Sequence, residues 1–266
     1  MYATAPTTVR LAYTFAGLSA PRRIHVSVTE PVPPGNRLLT RMPAKKRQHF
    51  LAGCELVNLA YSEILAEPGG PVRYVYFPLD SFISLKKPTD RPGSLEVGLI
   101  GHEGMLGISL LLGVGISPLL AVVQGEGTAL RMSATRFRRE LAKSPELERV
   151  LKYYLYVMID QLAQTAVCCR FHVVEKRLAR LLLMTQDRAQ SNAFHLTHEF
   201  LASMLGVRRV GITKAATALQ LRKLICYSRG NIKVLDRPGL EFASCDCYAS
   251  DNAIYSRTMA PHCGRE

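Results

Sequence analysis

Apolar residues recur at a helical period over two long segments in the second half of the chain. Ser144 is an N-cap residue type, and Pro145 suits the first helical position after it. From Leu147 to Thr165, apolar side chains step by three or four residues, which predicts a long amphipathic helix. The same spacing predicts a second helix over residues 172–187.

The pattern from Leu196 to Asp236 predicts two short helices, a tight turn and a β-hairpin. Thr197 is an N-cap for the first helix, and Gly206 permits the backbone turn that ends it. The second helix is expected to begin near Arg208, and its predicted buried face consists of Ile212, Ala216 and Leu219. Strands at 224–227 and 232–235 then flank a turn at 228–231. This order is typical of a winged helix-turn-helix, which places its second helix in the DNA major groove.

The opposite face of the predicted second helix is cationic and rich in hydroxyl groups. Arginine reads guanine bidentately, while lysine and threonine hold phosphates, so this face suits DNA recognition. Residues 196–238 hold eight Lys or Arg residues and two acids, which adds an electrostatic footprint for a polyanion. The predicted DNA-binding residues are Thr197, Arg208, Arg209, Thr213, Lys214, Thr217 and Arg229.

The first half of the chain has the alternation of β-strands. Polar and apolar positions alternate over residues 72–76 and 95–99, Phe82–Leu85 lie between them, and Gly127–Met132 is one more candidate strand. Several short strands at this spacing predict a sandwich or roll. Residues 104–125 carry no charge and approach the length of a membrane span, but their glycines and Pro118 favour short pieces in a soluble core.

Composition sets limits on the partners and the compartment. The 266 residues carry a formal net charge of +13, which favours nucleic acid or an anionic membrane surface. The concentration of cations at residues 196–238 favours nucleic acid and no membrane. The seven cysteines are odd in number and no secretory signal accompanies them, so reduced thiols in a cytoplasmic protein are expected. The first 50 residues carry eight basic residues and one acid, and the stretch at 30–35 is Pro-rich. Residues 1–35 are predicted to be a mobile extension or an over-long start assignment.

Four segments carry a resemblance to the Crp/Fnr family of bacterial transcription regulators. They are Tyr76-Phe77-Pro78, Gly101-His102-Glu103-Gly104, residues 175–182 and residues 196–209. The resemblance implies an α+β fold with an N-terminal antiparallel β-roll, also described as a double-stranded β-helix or jelly roll. It implies a sensor domain at 36–143, a dimerisation helix at 144–170, a winged helix-turn-helix at 171–248 and a tail at 249–266.

The resemblance also implies a function. The protein would be a homodimeric, sequence-specific DNA-binding regulator whose partners are double-stranded DNA, a second copy and RNA polymerase, and not an enzyme. The long helix either packs on its own β-domain or joins two subunits, the latter through Leu147, Leu151, Tyr154, Met158, Leu162 and Thr165. The alternative function is a ligand-sensing or redox-sensing module whose basic face docks an acidic protein.

The effector site matches the family poorly. The resemblance places a pocket at Gly101, Glu103, Gly104, Met105, Leu106 and Ser117. No Lys, Arg or His occurs between His102 and Arg131, and a buried phosphate without a cation is expensively desolvated, so cyclic AMP is not expected. The N-terminal cysteine cluster of the iron-sulfur branch is absent, so no cofactor is predicted and the effector domain is expected to be degenerate.

Two positions of the second helix depart from the family. Family members have Ser or Thr where Arg208 stands and Glu where Val210 stands, so readout of a cytosine amino group is lost at that position. Gly211 costs this helix up to about 1 kcal/mol relative to alanine.

The cysteines leave alternatives open. Cys245 and Cys247, with His262 and Cys263, offer soft metal ligands, but the first pair is closely spaced for a zinc site, so a surface tail with incidental thiols is favoured and no metal is predicted. The second group is Cys168, Cys169 and His172, where buried packing is favoured over oxidation sensing.

Overall fold

The computed structural model describes residues 35–89 and 94–260. The predicted extension at residues 1–35 lies, apart from Gly35, outside the described residues. The helices of the described ranges are α1 (Ala44–Leu51), α2 (Ala134–Lys143), α3 (Pro145–Phe171), α4 (Val174–Ala189), α5 (His198–Leu205), α6 (Arg209–Leu221), α7 (Arg237–Ala243) and α8 (Cys247–Thr258). The strands are β1 (Glu55–Leu59), β2 (Ile64–Ala66), β3 (Tyr74–Pro78), β4 (Phe82–Pro88), β5 (Ser94–Ile100), β6 (Leu120–Gly125), β7 (Gly127–Ser133), β8 (Ala193–His195), β9 (Ile225–Ser228) and β10 (Asn231–Val234).

The first seven strands form two antiparallel sheets that face each other. The described strands are ordered β1-β7-β3 in one sheet and β2-β6-β4-β5 in the other. Between the sheets, Tyr76 and Ala129 of the first sheet pack with Ile83 and Val123 of the second in one apolar core. The alternate residues of β3, Val75 and Phe77, are also fully buried but pack in a second core with the start of α3. The predicted β-roll is therefore confirmed.

The uncharged stretch at residues 104–125 folds as short pieces. A 3₁₀ turn at Ile108–Leu112 lies between two glycines with positive φ, Gly107 and Gly113, and strand β6 follows. Among the described residues, none of the helices is both long and apolar enough to cross a membrane.

Helix α3 begins as predicted. The Ser144 hydroxyl accepts a hydrogen bond from the Leu147 amide at 3.2 Å, and Pro145 takes the first helical position. Leu147, Leu151 and Tyr154 are at most 3 % exposed, because they pack in the core of the chain's own β-roll. The prediction that these three side chains form a subunit contact therefore does not hold.

The C-terminal segment is helical rather than a tail. Residues 249–258 belong to α8, and Ile254 and Tyr255 pack into the same core as the start of α3. Asp251 is buried and accepts from Arg180 of α4 at 2.7 Å. The buried positions 247, 248, 251, 254 and 255 follow a helical period, but the intervening polar residues and the buried aspartate conceal it in the sequence.

The β-roll and the C-terminal helices share a core. Leu99 of β5 and Phe82 of β4 pack with apolar residues of α4, α5 and α6. Arg188 of α4 pairs with Glu103 at 3.0 Å, and its Nε also donates to the Leu99 carbonyl at 3.2 Å. These contacts place α4 directly against the sheet that contains β5.

Candidate nucleic-acid interface

Local backbone chemistry sets the angle between α5 and α6. The Thr197 hydroxyl accepts a hydrogen bond from the Phe200 amide at 3.1 Å, which caps α5 as predicted. Gly206 ends α5 with φ at +62°, a left-handed conformation that favours glycine. The next amide, of Val207, donates back to the Ala202 carbonyl at 3.0 Å. Thr197 therefore has a structural role at the start of the motif.

Helix α6 presents two faces of opposite character. Ile212, Ala216 and Leu219 are buried against the other helices of the motif, which confirms the predicted core face. The side chains on the other face are exposed, and they are Arg209, Thr213, Lys214 and Thr217. A helix anchored by one face and cationic on the other has the form that enters a major groove.

The cations of this region are available for a ligand. Among the described residues, Arg222 pairs with Glu175 at 3.1 Å. No ion pair within the described ranges involves the other exposed cations, which are Arg208, Arg209, Lys214, Lys223, Arg229 and Lys233. Their charges are therefore free to neutralise phosphates.

His198 is a member of this surface that the sequence did not indicate. Its ring stacks on Tyr227 of β9 at 4.2 Å between centroids, and its Nδ1 lies 3.2 Å from the Thr213 hydroxyl. Burial, and then the nearby Arg209 charge, lower the pKa of His198. The lowered pKa favours the neutral ring, and the contact of its Nδ1 with the hydroxyl links Thr213 to the start of α5. In the sequence, His198 is marked only by its position next to the N-cap residue Thr197. Histidines in such positions are too common for this to indicate a role.

The wing is a tight hairpin. Asn231 pairs with Ser228, so the loop between β9 and β10 consists of Arg229 and Gly230, with φ values of +49° and +87°. Two consecutive positive φ values suit the type I′ turn that joins twisted strands. The hairpin and the position of Arg229 at its tip were predicted, whereas the third strand, β8, was not.

Four of the predicted effector residues are held by contacts within the β-roll and with α3. Met105 is fully buried in the core, and a side chain at Gly104 would collide with the Tyr154 hydroxyl. Ser117 is nearly buried, and its hydroxyl donates to the Leu119 carbonyl at 2.8 Å. Leu106 pairs with β3 through a bridge to Tyr76.

The remaining two effector positions lie at the contact with the helix-turn-helix. Glu103 pairs with Arg188 and also accepts from the Gly101 amide at 3.2 Å. Glu103 borders a polar cleft together with His102, Arg37 and Tyr255. Burial lowers the pKa of His102. Glu103 thus couples the β-roll to α4 and is already engaged by a guanidinium.

The structure brings part of each cysteine group together, whereas Cys169, for which buried packing was favoured, is exposed. Cys245 and Cys247 are buried beside Cys168 and His172, although about 75 residues separate the groups in the chain. The hydrogen bond from the Cys245 thiol lowers the pKa of the Cys168 thiol. The other two candidates, His262 and Cys263, lie outside the described residues.

One family model matches part of the chain. Residues 176–243 match the Crp-like helix-turn-helix domain, a range that covers most of α4 and all of α5, α6, the wing and α7. No curated protein matches the chain at a significant level.

Solved structures share the fold of most of this chain. FixK2 from Bradyrhizobium japonicum superposes with a TM-score of 0.62 at 13% identity, over 72% of this chain and 98% of FixK2. TTHA1359, a transcriptional regulator of the CRP/FNR family from Thermus thermophilus, gives 0.58 at 21% identity, over 71% and 98%. The c-di-GMP-responsive global regulator CLP from Xanthomonas campestris gives 0.59 at 17% identity, over 72% and 99%. This chain therefore has the fold of the solved Crp/Fnr-family regulators and carries a Crp-like helix-turn-helix domain at residues 176–243.

Proposed function

We propose that the protein is a homodimeric transcription regulator that reads a specific DNA sequence through α6. The observation that carries the proposal is the exposed face of α6, whose Arg209 and Lys214 are free of ion pairs among the described residues. The wing tip at Arg229 adds a further unpaired cation. Arginine reads base edges, while the surrounding cations and hydroxyls position the duplex backbone.

The start of α6 determines the base preference. Arg209 is the first residue of the helix and is exposed, so its guanidinium suits a bidentate contact with guanine. Val210 follows and is 59% exposed, which presents methyl groups where a thymine methyl is a suitable partner. The preferred site therefore differs from one read by an Arg-Glu pair.

A second copy of the chain is the partner of the exposed side of α3. Tyr156, Ile159, Leu162, Val167 and Phe171 are 44–73% exposed, and they recur every three to five residues along this helix. Apolar residues at that spacing suit a helix pair. Two recognition helices in one particle then match two half-sites about one helical turn apart.

The β-roll acts as a degenerate effector domain that does not bind cyclic AMP. The nearest cation beyond the uncharged stretch is Arg131, which pairs with Glu55 at 2.8 Å and lies over the Tyr74 ring. The cation at the predicted pocket residue Glu103 is Arg188, which this carboxylate already engages at 3.0 Å, so a buried phosphate there would have to compete with a carboxylate.

The experiment compares Arg209→Ala with Arg139→Ala in binding to duplexes selected for tight retention. Arg139 lies on α2 and is also exposed, so its removal controls for loss of one positive charge. Arg209→Ala should lower affinity by about 1–3 kcal/mol and relax the preference at one base position. The control should change neither. If Arg209→Ala keeps both the affinity and the base preference, α6 is not the reading element and docking to an acidic protein becomes the better explanation.

A further inference from the structure

Four side chains with metal-binding atoms converge at the end of α3. Cys168 belongs to the last turn of α3, His172 caps this helix, and Cys245 and Cys247 lie where α7 passes into α8. Their sulfur and ring nitrogen atoms all lie within 4.8 Å of one another. Cys168 and His172 are four residues apart at the helix end, which directs both to the same side.

Two of the six separations are close to the edges of a single tetrahedral centre, and all six are at most 4.8 Å. With zinc–sulfur distances of about 2.3 Å and a zinc–nitrogen distance of about 2.0 Å, sulfurs are about 3.8 Å apart and sulfur and nitrogen about 3.5 Å. The Sγ atoms of Cys168 and Cys245 are 3.6 Å apart. Cys247 Sγ and His172 Nδ1 are 3.4 Å apart. Both edges are much too long for a covalent bond and close to those of a metal tetrahedron.

We infer that Cys168, His172, Cys245 and Cys247 bind one Zn²⁺ ion. Three thiolates and an imidazole form a closed set of four donors, which is the composition of structural zinc sites. Soft sulfur donors also disfavour magnesium and calcium. This site is separate from the proposed DNA-binding surface, because its residues lie outside the exposed face of α6.

Packing alone does not account for this cluster. The three thiols form a small buried group of their own, separate from the larger apolar cores on either side. Cysteines that act as small hydrophobic residues are usually distributed within such cores. Here four ligand-type groups face one point instead.

The surroundings are suited to a negatively charged metal centre. Zinc bound by three thiolates and one imidazole carries a net charge of −1. Arg180, which pairs with Asp251, also donates to the Thr165 hydroxyl at 3.3 Å, so its positive charge lies near this end of α3. The Gln164 side chain donates to Cys247 Sγ at 2.9 Å. Hydrogen bonds and charges of this kind orient and stabilise the ligands of metal sites.

The location gives the ion a structural role. The end of α3 is the junction between the long helix and the helix-turn-helix, and α8 is the last described element of the chain. The ion crosslinks these two places and fixes α8 against the junction. The segments on both sides of the helix-turn-helix, the end of α3 and the start of α8, are then held in place by the ion.

The test measures metal content in the full-length protein after growth in zinc-supplemented medium. The wild-type protein should hold about one zinc ion per chain by mass spectrometry, as a closed four-donor site requires. Cys168→Ser and Cys247→Ser should each lose most of this zinc. Cys226→Ser is the matched control and should retain it, because Cys226 is an exposed thiol of β9.

A second measurement does not depend on how well the variants fold. Wild-type protein freed of metal and then titrated with Co²⁺ should give the intense visible absorption of tetrahedral cobalt bound by thiolates, saturating at about one equivalent. Added Zn²⁺ should abolish this absorption. Three results would overturn the site: no zinc together with no cobalt spectrum, a Cys168–Cys245 disulfide in freshly purified protein, or iron and sulfide in place of zinc.

Discussion

Val210 is the residue at which base preference is most open to change. Its side chain is 59% exposed on the second position of α6, next to Arg209. A carboxylate at this position would accept a hydrogen bond from a cytosine amino group. Val210→Glu should therefore shift the selected sequence towards cytosine at one position per half-site, which selection from random duplexes measures. Val210→Ala is the control, and should weaken any thymine preference without creating one for cytosine.

Glu96 makes the stability of the folded protein depend on pH. Burial raises the pKa of Glu96 to about 8 from an ordinary value of 4.5, although the Ser84 hydroxyl donates to it at 2.6 Å and Lys86, Arg188 and Arg180 favour its ionised form. The unfolded chain therefore releases this proton at lower pH than the folded chain does. The stability contributed by protonated Glu96 is complete below about pH 4.5 and is lost as pH rises towards 8.

Glu96→Gln removes that dependence because the amide does not ionise. The free energy of unfolding of this variant, relative to wild type, should increase between pH 5 and pH 8. Urea titrations of both proteins at the two pH values measure the difference. A difference that stays constant with pH would show that Glu96 keeps an ordinary pKa in the folded protein.

Single residues differ in how far the sequence predicts them. The exposure of Arg209, Thr213 and Lys214 follows from helical periodicity, which is a local property of the chain. The surroundings of Glu96 and His198, and therefore their pKa values, depend on residues of other elements. Ser84 is such a partner of Glu96, and Tyr227 is such a partner of His198. No local pattern encodes such partners.

At the scale of elements, replacing a glycine with alanine should have opposite effects on the stability of α6 and of the wing. Gly211 lies within α6, and a Cβ there meets nothing within 4 Å, so Gly211→Ala should raise the free energy of unfolding by up to about 1 kcal/mol. Gly230 has φ at +87°, and a Cβ there would lie 2.6 Å from the His195 ring, so Gly230→Ala should lower it. Chemical denaturation of both variants tests the pair. Equal effects would contradict the backbone assigned to this region.

Helices α3 and α8 show what periodicity leaves undetermined. A repeat of three or four residues predicts that one face of α3 is covered, and this is confirmed at Leu147 and Leu151. The repeat does not indicate whether this face of α3 packs on the chain's own sheet or on another subunit. In α8 the position of Asp251 on the buried face conceals the repeat, since its charge is compensated by Arg180 from another helix.

At the scale of the whole molecule, the exposed side of α3 should control assembly. Ile159 is 58% exposed near the middle of this side, so a charge there would be buried without a partner in a helix pair. Ile159→Glu should shift the protein from dimer to monomer in sedimentation velocity, while Ile159→Leu should leave it dimeric. A wild-type protein that sediments as a monomer would place the subunit contact elsewhere or remove it.

The cysteine cluster is the whole-molecule feature that the sequence predicted least. Cys168 with His172 and Cys245 with Cys247 are each weak metal signals, and the close spacing of the second pair argues against a site. Only the return of α8 to the end of α3 places the four donors within 4.8 Å. The fold class was predictable because each of its elements has a local pattern, whereas this cluster depends on long-range packing.

Selection of binding sites from random duplex DNA by the full-length protein, at physiological salt, tests the central claim most directly. A dimer with one recognition helix per subunit should enrich a two-fold symmetric motif whose half-sites lie about one helical turn apart. The motif should be lost with Arg209→Ala. Retention of DNA with a steep salt dependence but no enriched sequence would contradict specific recognition, and would show that the basic face binds polyanions in general.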